Sequence, residues 1–270
     1  MTWREPRRRR AALLGLLGVF AGSLALAQGG ADRGSVDGRR SSYREMGPAL
    51  QRMQDDDTAN PGMLFVQLGR QLWSRPMGVA GKACADCHEV QDMKGVAARY
   101  PAMADDAAGG SRPVDLEGRI GLCHAQHQQS EPWPAESRDL LALSAFVALQ
   151  SRGQPIAPPD DPRLAPARAQ GEALYRTRQG QLNLSCALCH DDNAGRKLAG
   201  ITIPQAHPTG YPIYRLEWQG LGSLRRRLRN CLIGIRAEPY AYDASEYVAL
   251  EIYLMDRARG MASEAPAVRP

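Results

Sequence analysis

The chain has 270 residues, a formal net charge of +5 and 43% hydrophobic residues, a length sufficient for two small domains. Arg4, Arg7 to Arg10 and Glu5 contribute +4 of that +5, so residues 28–270 carry only +1. A basic surface of the kind that binds nucleic acid is therefore not expected.

In chain order, Arg7 to Arg10 form a basic run and Ala11 to Leu26 an uncharged apolar stretch, followed by the small-x-small site Ala25-Leu26-Ala27. That is the pattern of a secretory signal peptide over 1–27. It predicts a periplasmic protein with no membrane span once the signal is removed. Residues 28–60, polar and Gly-rich at first, read as a loose N-terminal arm. Beyond them lies an internal repeat. Gly69 to His88, GRQLWSRPMGVAGKACADCH, overlays without gaps on Gly171 to His190, GEALYRTRQGQLNLSCALCH, at an offset of 102 residues. Each copy opens with G-x-x-L-[WY], predicted as an amphipathic helix, and each later shows R-x-x-x-C, at Arg119…Cys123 and Arg227…Cys231. Each closes on an apolar helix ending in Arg-Gly, at Arg152-Gly153 and Arg259-Gly260, with apolar residues at helical spacing. Pro155 to Ala167 is Pro-rich and reads as a stiff linker. The expected fold is mainly α: two tandem domains, 61–154 and 168–270, joined by 155–167.

The two copies share a chemistry. Cys84-Ala85-Asp86-Cys87-His88 and Cys186-Ala187-Leu188-Cys189-His190 are both C-x-x-C-H, the attachment signature of a c-type haem. Two thiols form thioethers to the vinyl groups, and the adjacent imidazole then lies under the iron. A redox dithiol or half a zinc site would explain one such motif; a repeated pair behind an export signal favours two haems c per chain. Two haems would also supply the apolar area that a chain with three Phe lacks.

Cys123 and Cys231 remain. A disulfide between them would balance the count, but equivalent positions of separate haem cores are hard to bring within the roughly 7 Å a bridge needs. The alternative is that each thiolate ligates its own domain's iron, which would favour Fe(III) and a low potential. His124, His127, His207 and nine Met are the other distal candidates. Arg225, Arg226, Arg227, Arg229 and Arg236 bracket Cys231. Such a run is commonly a solvated helix face; beside a thiolate it would stabilise the anion and draw a small dianion.

With these residues in place, the chain resembles the SoxA family, dihaem subunits of the SoxAX complex of bacterial thiosulfate oxidation. Two C-x-x-C-H domains, a lone Cys in each, and Arg229-Asn-Cys-Leu-Ile-Gly-Ile-Arg-Ala-Glu-Pro-Tyr240 carry the resemblance. It implies cytochrome c-like domains with axial pairs His88/Cys123 and His190/Cys231, and covalent attachment at Cys84, Cys87, Cys186 and Cys189. It implies L-cysteine S-thiosulfotransferase activity: oxidative joining of thiosulfate to a cysteine of a SoxYZ-like carrier. It also implies a small monohaem SoxX-like partner that receives the electrons and passes them to a soluble cytochrome. The family's catalytic cysteine and arginine fall on Cys231 and Arg227, and a further arginine on Arg257. His124 stands where the family more often has Arg, and is expected at the surface. The competing classes are a dihaem electron carrier without substrate chemistry and a dihaem peroxidase.

Overall fold

The protein is represented by a computed structural model that describes residues 35–105 and 109–270. The signal peptide expected over 1–27 lies outside the described residues. Among the described residues eight α-helices dominate: α1 Pro48–Asp55, α2 Gly62–Trp73, α3 Leu116–Cys123, α4 Arg138–Leu149, α5 Ala165–Arg176, α6 Cys186–His190, α7 Leu224–Gly234 and α8 Ser245–Arg257. The strands are short: β1 Ser35–Val36, β2 Arg39–Arg40, β3 Ala102–Asp105, β4 Ser111–Val114, β5 Lys197–Leu198, β6 Ile201–Thr202, β7 Ile213–Arg215, β8 Gly220–Gly222 and β9 Val268–Arg269.

The repeat seen in the sequence is a repeat of packing. In the first half α2 crosses α4; in the second α5 crosses α8. Both crossings are set by a glycine. A Cβ on Gly69 would lie 2.1 Å from the Ala142 carbonyl oxygen, and one on Gly171 would lie 2.0 Å from that of Ala249. Only a residue without a side chain lets the backbones approach so closely. One turn later an aromatic residue seals each crossing. Trp73 packs on Phe146 with centroids 5.6 Å apart, and Tyr175 on Tyr253 at 5.2 Å. The two apolar closing helices are core, as their spacing predicts: every residue of α4 from Leu140 to Ala148 is buried.

A second pair of glycines places the haem motifs. Gly78 and Gly180 have φ of +65° and +68°, and a Cβ there would meet the Gln128 and Ile235 carbonyl oxygens at 1.9 and 2.2 Å. The loops they begin dock on the ends of the cysteine-bearing segments. Val79 and Ala80 donate backbone N–H groups to Gln129 and Gln128; Gln181 and Leu182 do the same to Arg236 and Ile235. This docking carries C-x-x-C-H to the helix that ends near Cys123 in one half and holds Cys231 in the other.

The halves do not simply follow one another. Leu221 of β8 is buried in the same cluster as Val66, Leu72 and Phe146 of the first half. At the N-termini of α3 and α7, Arg225 ion-pairs with buried Asp115, and the Ser223 hydroxyl donates to Glu136. The Pro-rich segment is stapled down: Ile156 donates to the Met261 carbonyl and accepts from Gly260, both at 2.8 Å. The segment expected to be a loose arm is also tied in over its described part. Arg39 donates through Nη1 to the carbonyls of Arg257 and Arg259, at 2.8 and 2.9 Å, satisfying groups that the end of α8 leaves open. Asn60, buried, donates to Pro266 at 3.0 Å. No helix of the described residues is long and apolar enough to cross a membrane.

Candidate active site at the second haem motif

Each half gathers its own three cysteines. Burial, together with the nearby Cys123 thiol, pushes Cys84 up to about 11; burial with the nearby Cys231 thiol does the same to Cys186. Burial also raises Cys123, with Arg119 opposing and Cys87 adding to the rise. All six thiols are unbridged, and Cys123 and Cys231 sit with their own motifs rather than with each other.

Cys231 differs from the others. Ser223 caps α7 by accepting from the Arg226 N–H, and two turns on the helix presents Cys231 to the opening of α6. Burial pushes the thiol up. A hydrogen bond with His190, then the charges of Arg227, His190 and Arg215, outweigh burial and hold it below its ordinary value. The ring of His190 is itself oriented: Nδ1 lies 2.7 Å from the Pro204 carbonyl oxygen. A carbonyl can only accept, so Nδ1 carries a proton and Nε2 is the ring nitrogen turned toward Cys231. His190 and Cys231, the expected axial pair, thus face one another.

They line a solvent-open pocket with a cavity volume of about 160 Å³, walled by apolar Ala206, Tyr211, Ile213, Leu224, Leu228 and Leu254. An imidazole whose Nε2 faces a thiol, two further thiols on α6 and an apolar cleft fit a covalently held haem. At the first motif His88 is exposed, 6.2 Å from the Trp73 ring, with Cys123 beside Cys84 and Cys87. The donor set is the same.

The arginine run disperses. Arg225 is committed to Asp115, Arg226 lies over the Trp218 ring at 4.3 Å, and Arg229 donates to the Tyr240 carbonyl and covers Tyr242. Only Arg227 of the run lines the cavity with Cys231, and it has no ion-pair partner among the described residues. Its strongest attraction is to Cys231. Two arginines that local sequence did not single out join it there, Arg215 and Arg269. They arrive through β7 and β9, which run parallel with Arg215 opposite Arg269. Each is a lone Arg on a short strand, 54 positions apart, and no local spacing marks the pair.

Arg257 lies elsewhere. It pairs with Asp191 at 2.6 Å and covers the Tyr175 ring at 4.8 Å, on a neighbouring cleft that His190 also lines. His207 sits at the edge of both clefts with Nδ1 2.8 Å from the Arg40 carbonyl. His127 is exposed. His124, expected at the surface, is instead 1% exposed and packs edge-on against Trp133 at 4.3 Å. The π-helical turn His124–Gln128 that continues α3 turns its ring under that indole.

The family model described as SoxA/TsdA, cytochrome c domain, matches residues 68–156 and 170–263, one stretch on each half of the repeat. The mainly α, tandem cytochrome c-like architecture read from the repeat is therefore borne out. The chain is 38% identical over 217 residues to the L-cysteine S-thiosulfotransferase subunit SoxA of Pseudaminobacter salicylatoxidans, covering 79% of this chain and 75% of that one. It is 36% identical over 241 residues to the subunit of the same name from Rhodovulum sulfidophilum, covering 88% and 82%. The crystal structure of SoxXA from P. pantotrophus superposes with a TM-score of 0.81 at 32% identity, over 86% of this chain and 87% of that one.

Proposed function

Because the chain belongs to the SoxA family of cytochromes c, we propose that it is the thiosulfate-conjugating subunit of a periplasmic sulfur-oxidising complex. It carries two haems c, held through Cys84 and Cys87 and through Cys186 and Cys189. His88 with Cys123, and His190 with Cys231, would hold the two irons. The observation that carries the reading is the cavity at Cys231, where Arg227 lines the wall with no ion-pair partner among the described residues. A half-buried cation without an ion-pair partner beside a cysteine is a receptor for an anion that reacts with sulfur.

The chain's residues divide the work. Arg227 draws thiosulfate and orients it. The thiolate of Cys231 bonds to the sulfane sulfur, giving Cys231–S–S–SO₃⁻ and releasing two electrons. His190 and Cys231 would hold a haem there, and that group would supply one-electron acceptor chemistry beside the forming S–S bond. A carrier cysteine thiolate then attacks the sulfane sulfur; its S–S bond forms as the bond to Cys231 breaks, and Cys231 leaves as thiolate. The net change joins one thiosulfate to one carrier thiol with loss of one proton and two electrons. A small monohaem SoxX-like subunit takes the electrons and hands them to a soluble cytochrome, and the carrier is SoxYZ-like.

The test is reconstitution of the holoprotein with its monohaem partner, carrier and ferric cytochrome. Thiosulfate-dependent cytochrome reduction with one thiosulfonate added per carrier cysteine is expected. Cytochrome reduction that continues with Cys231→Ser, leaving the carrier unmodified, would instead mark an electron carrier.

A further inference from the structure

Arg227 does not stand alone in the cavity. Arg215 lines the same wall, is only 8% exposed, and acts electrostatically on both Arg227 and Cys231. Arg215 is buried and Arg227 half-buried; their guanidinium groups repel one another, so keeping both beside one thiol costs stability unless an anion joins them. The third arginine of the cavity, Arg269, is already matched. It pairs with Glu264 at 2.7 Å and donates to Ser42 and Gln54. Arg215 is held but not neutralised in the same way. Nε donates to the Pro270 carbonyl at 2.8 Å, and the guanidinium lies over the Trp218 ring at 4.9 Å. Its side-chain carboxylate partner among the described residues, Glu217 at 2.7 Å through Nη2, is 60% exposed to water, where the charge is screened. These contacts use Nε and Nη2 and leave the Nη1 hydrogens over.

We propose that Arg215 is the second arm of the anion subsite: with Arg227 it grips the terminal sulfonate of thiosulfate while the sulfane sulfur meets Cys231. This rests on the sulfur-transfer reading and deepens it. A sulfonate offers three oxygens, enough for two planar forks, and its position then fixes which sulfur faces the thiol. Trp218 and Pro270 hold the Arg215 fork in place, so little side-chain freedom is lost when the anion binds. One arginine would bind sulfonate; two, Arg215 from β7 and Arg227 from α7, select an anion that reaches between them with sulfur at its other end.

The experiment uses the holoprotein with its monohaem partner. Thiosulfate affinity is measured by calorimetry on the oxidised protein, and KM and kcat with carrier, for wild type, Arg215→Met and Arg215→Lys. Losing charge-assisted hydrogen bonds predicts a rise of about 10- to 100-fold in Kd and KM for Arg215→Met. Haem content and absorption spectrum stay unchanged, and Arg215→Lys recovers part of the loss. Wild-type Kd and KM in Arg215→Met overturn the proposal and leave the sulfur-transfer reading standing. Loss of the haem spectrum in both variants overturns it too, since Arg215 would then be structural. A wild-type protein that neither binds nor consumes thiosulfate sinks both.

Discussion

The same R-x-x-x-C pattern yields two chemically unlike cysteines. Arg119 stands to Cys123 as Arg227 stands to Cys231, yet burial leaves the first thiol above its ordinary value while the second is held below. The difference lies in what surrounds them: Cys231 has His190, Arg227 and Arg215, where Cys123 has Arg119 alone as a cation and Cys87 as a like neighbour. Replacing Cys231 with Ser therefore removes carrier conjugation to background, whereas Cys123→Ser keeps it within a few-fold. Electron paramagnetic resonance of the two variants reads out which haem loses its thiolate signature, and each variant is expected to change a different one. Arg227→Met is expected to lower kcat/KM for thiosulfate by about 100-fold or more, in the range seen when one charge-stabilising donor is removed. The pairing of Cys231 with Arg227 was legible because both lie on one helix turn, four residues apart. The contribution of Arg215 was not, because β7 brings it to the cavity from outside α7.

At the scale of elements, the paired glycines do the placing. Gly69 and Gly171 let α2 and α5 cross α4 and α8 at backbone contact, and the aromatic residue four positions on closes each crossing. Their place in the overlaid repeat was visible in the sequence, as were the apolar closing helices. The reason for glycine was not, since its partner carbonyls at Ala142 and Ala249 lie more than 70 residues away. Gly171→Ala should destabilise the holoprotein by about 1–3 kcal/mol through overpacking, read as a lower urea midpoint with unchanged slope. An unchanged midpoint would mean the crossing relaxes without cost. The arginine run shows the reverse case. Its composition was plain, but helical geometry sends Arg225, Arg226 and Arg229 to three different partners and only Arg227 to the site.

Across the whole molecule, the repeat predicted two domains but not how they are joined. The join is a cluster of carboxylates around one cation: Asp115 and Glu117 from the first half, Glu251 and Arg225 from the second. Burial, with the neighbouring Asp115 charge, pushes Glu117 up to about 8 against the attraction of Arg225, and Glu251 is raised by the same causes. A carboxyl raised on folding contributes its stability fully below its unfolded value near 4.5, and loses it as pH climbs through the folded value. The melting temperature of the holoprotein should therefore fall between about pH 5 and pH 8, and Glu117→Gln should flatten that slope. A melting temperature that rises over this window would contradict the assignment. Residues 35–60 likewise join the second half through backbone acceptors at Arg257, Arg259 and Pro266, contacts that a polar, Gly-rich sequence does not announce.

The central claim is that Cys231 is the residue on which sulfur is carried. Peptide mass spectrometry of the holoprotein, after thiosulfate and a ferric cytochrome acceptor with the carrier withheld, tests it directly. A thiosulfonate or sulfane-sulfur adduct is expected on the peptide containing Cys231, removed by a thiol reductant and absent from that containing Cys123. An unmodified Cys231 in protein that retains both haems and has reduced the acceptor would contradict it.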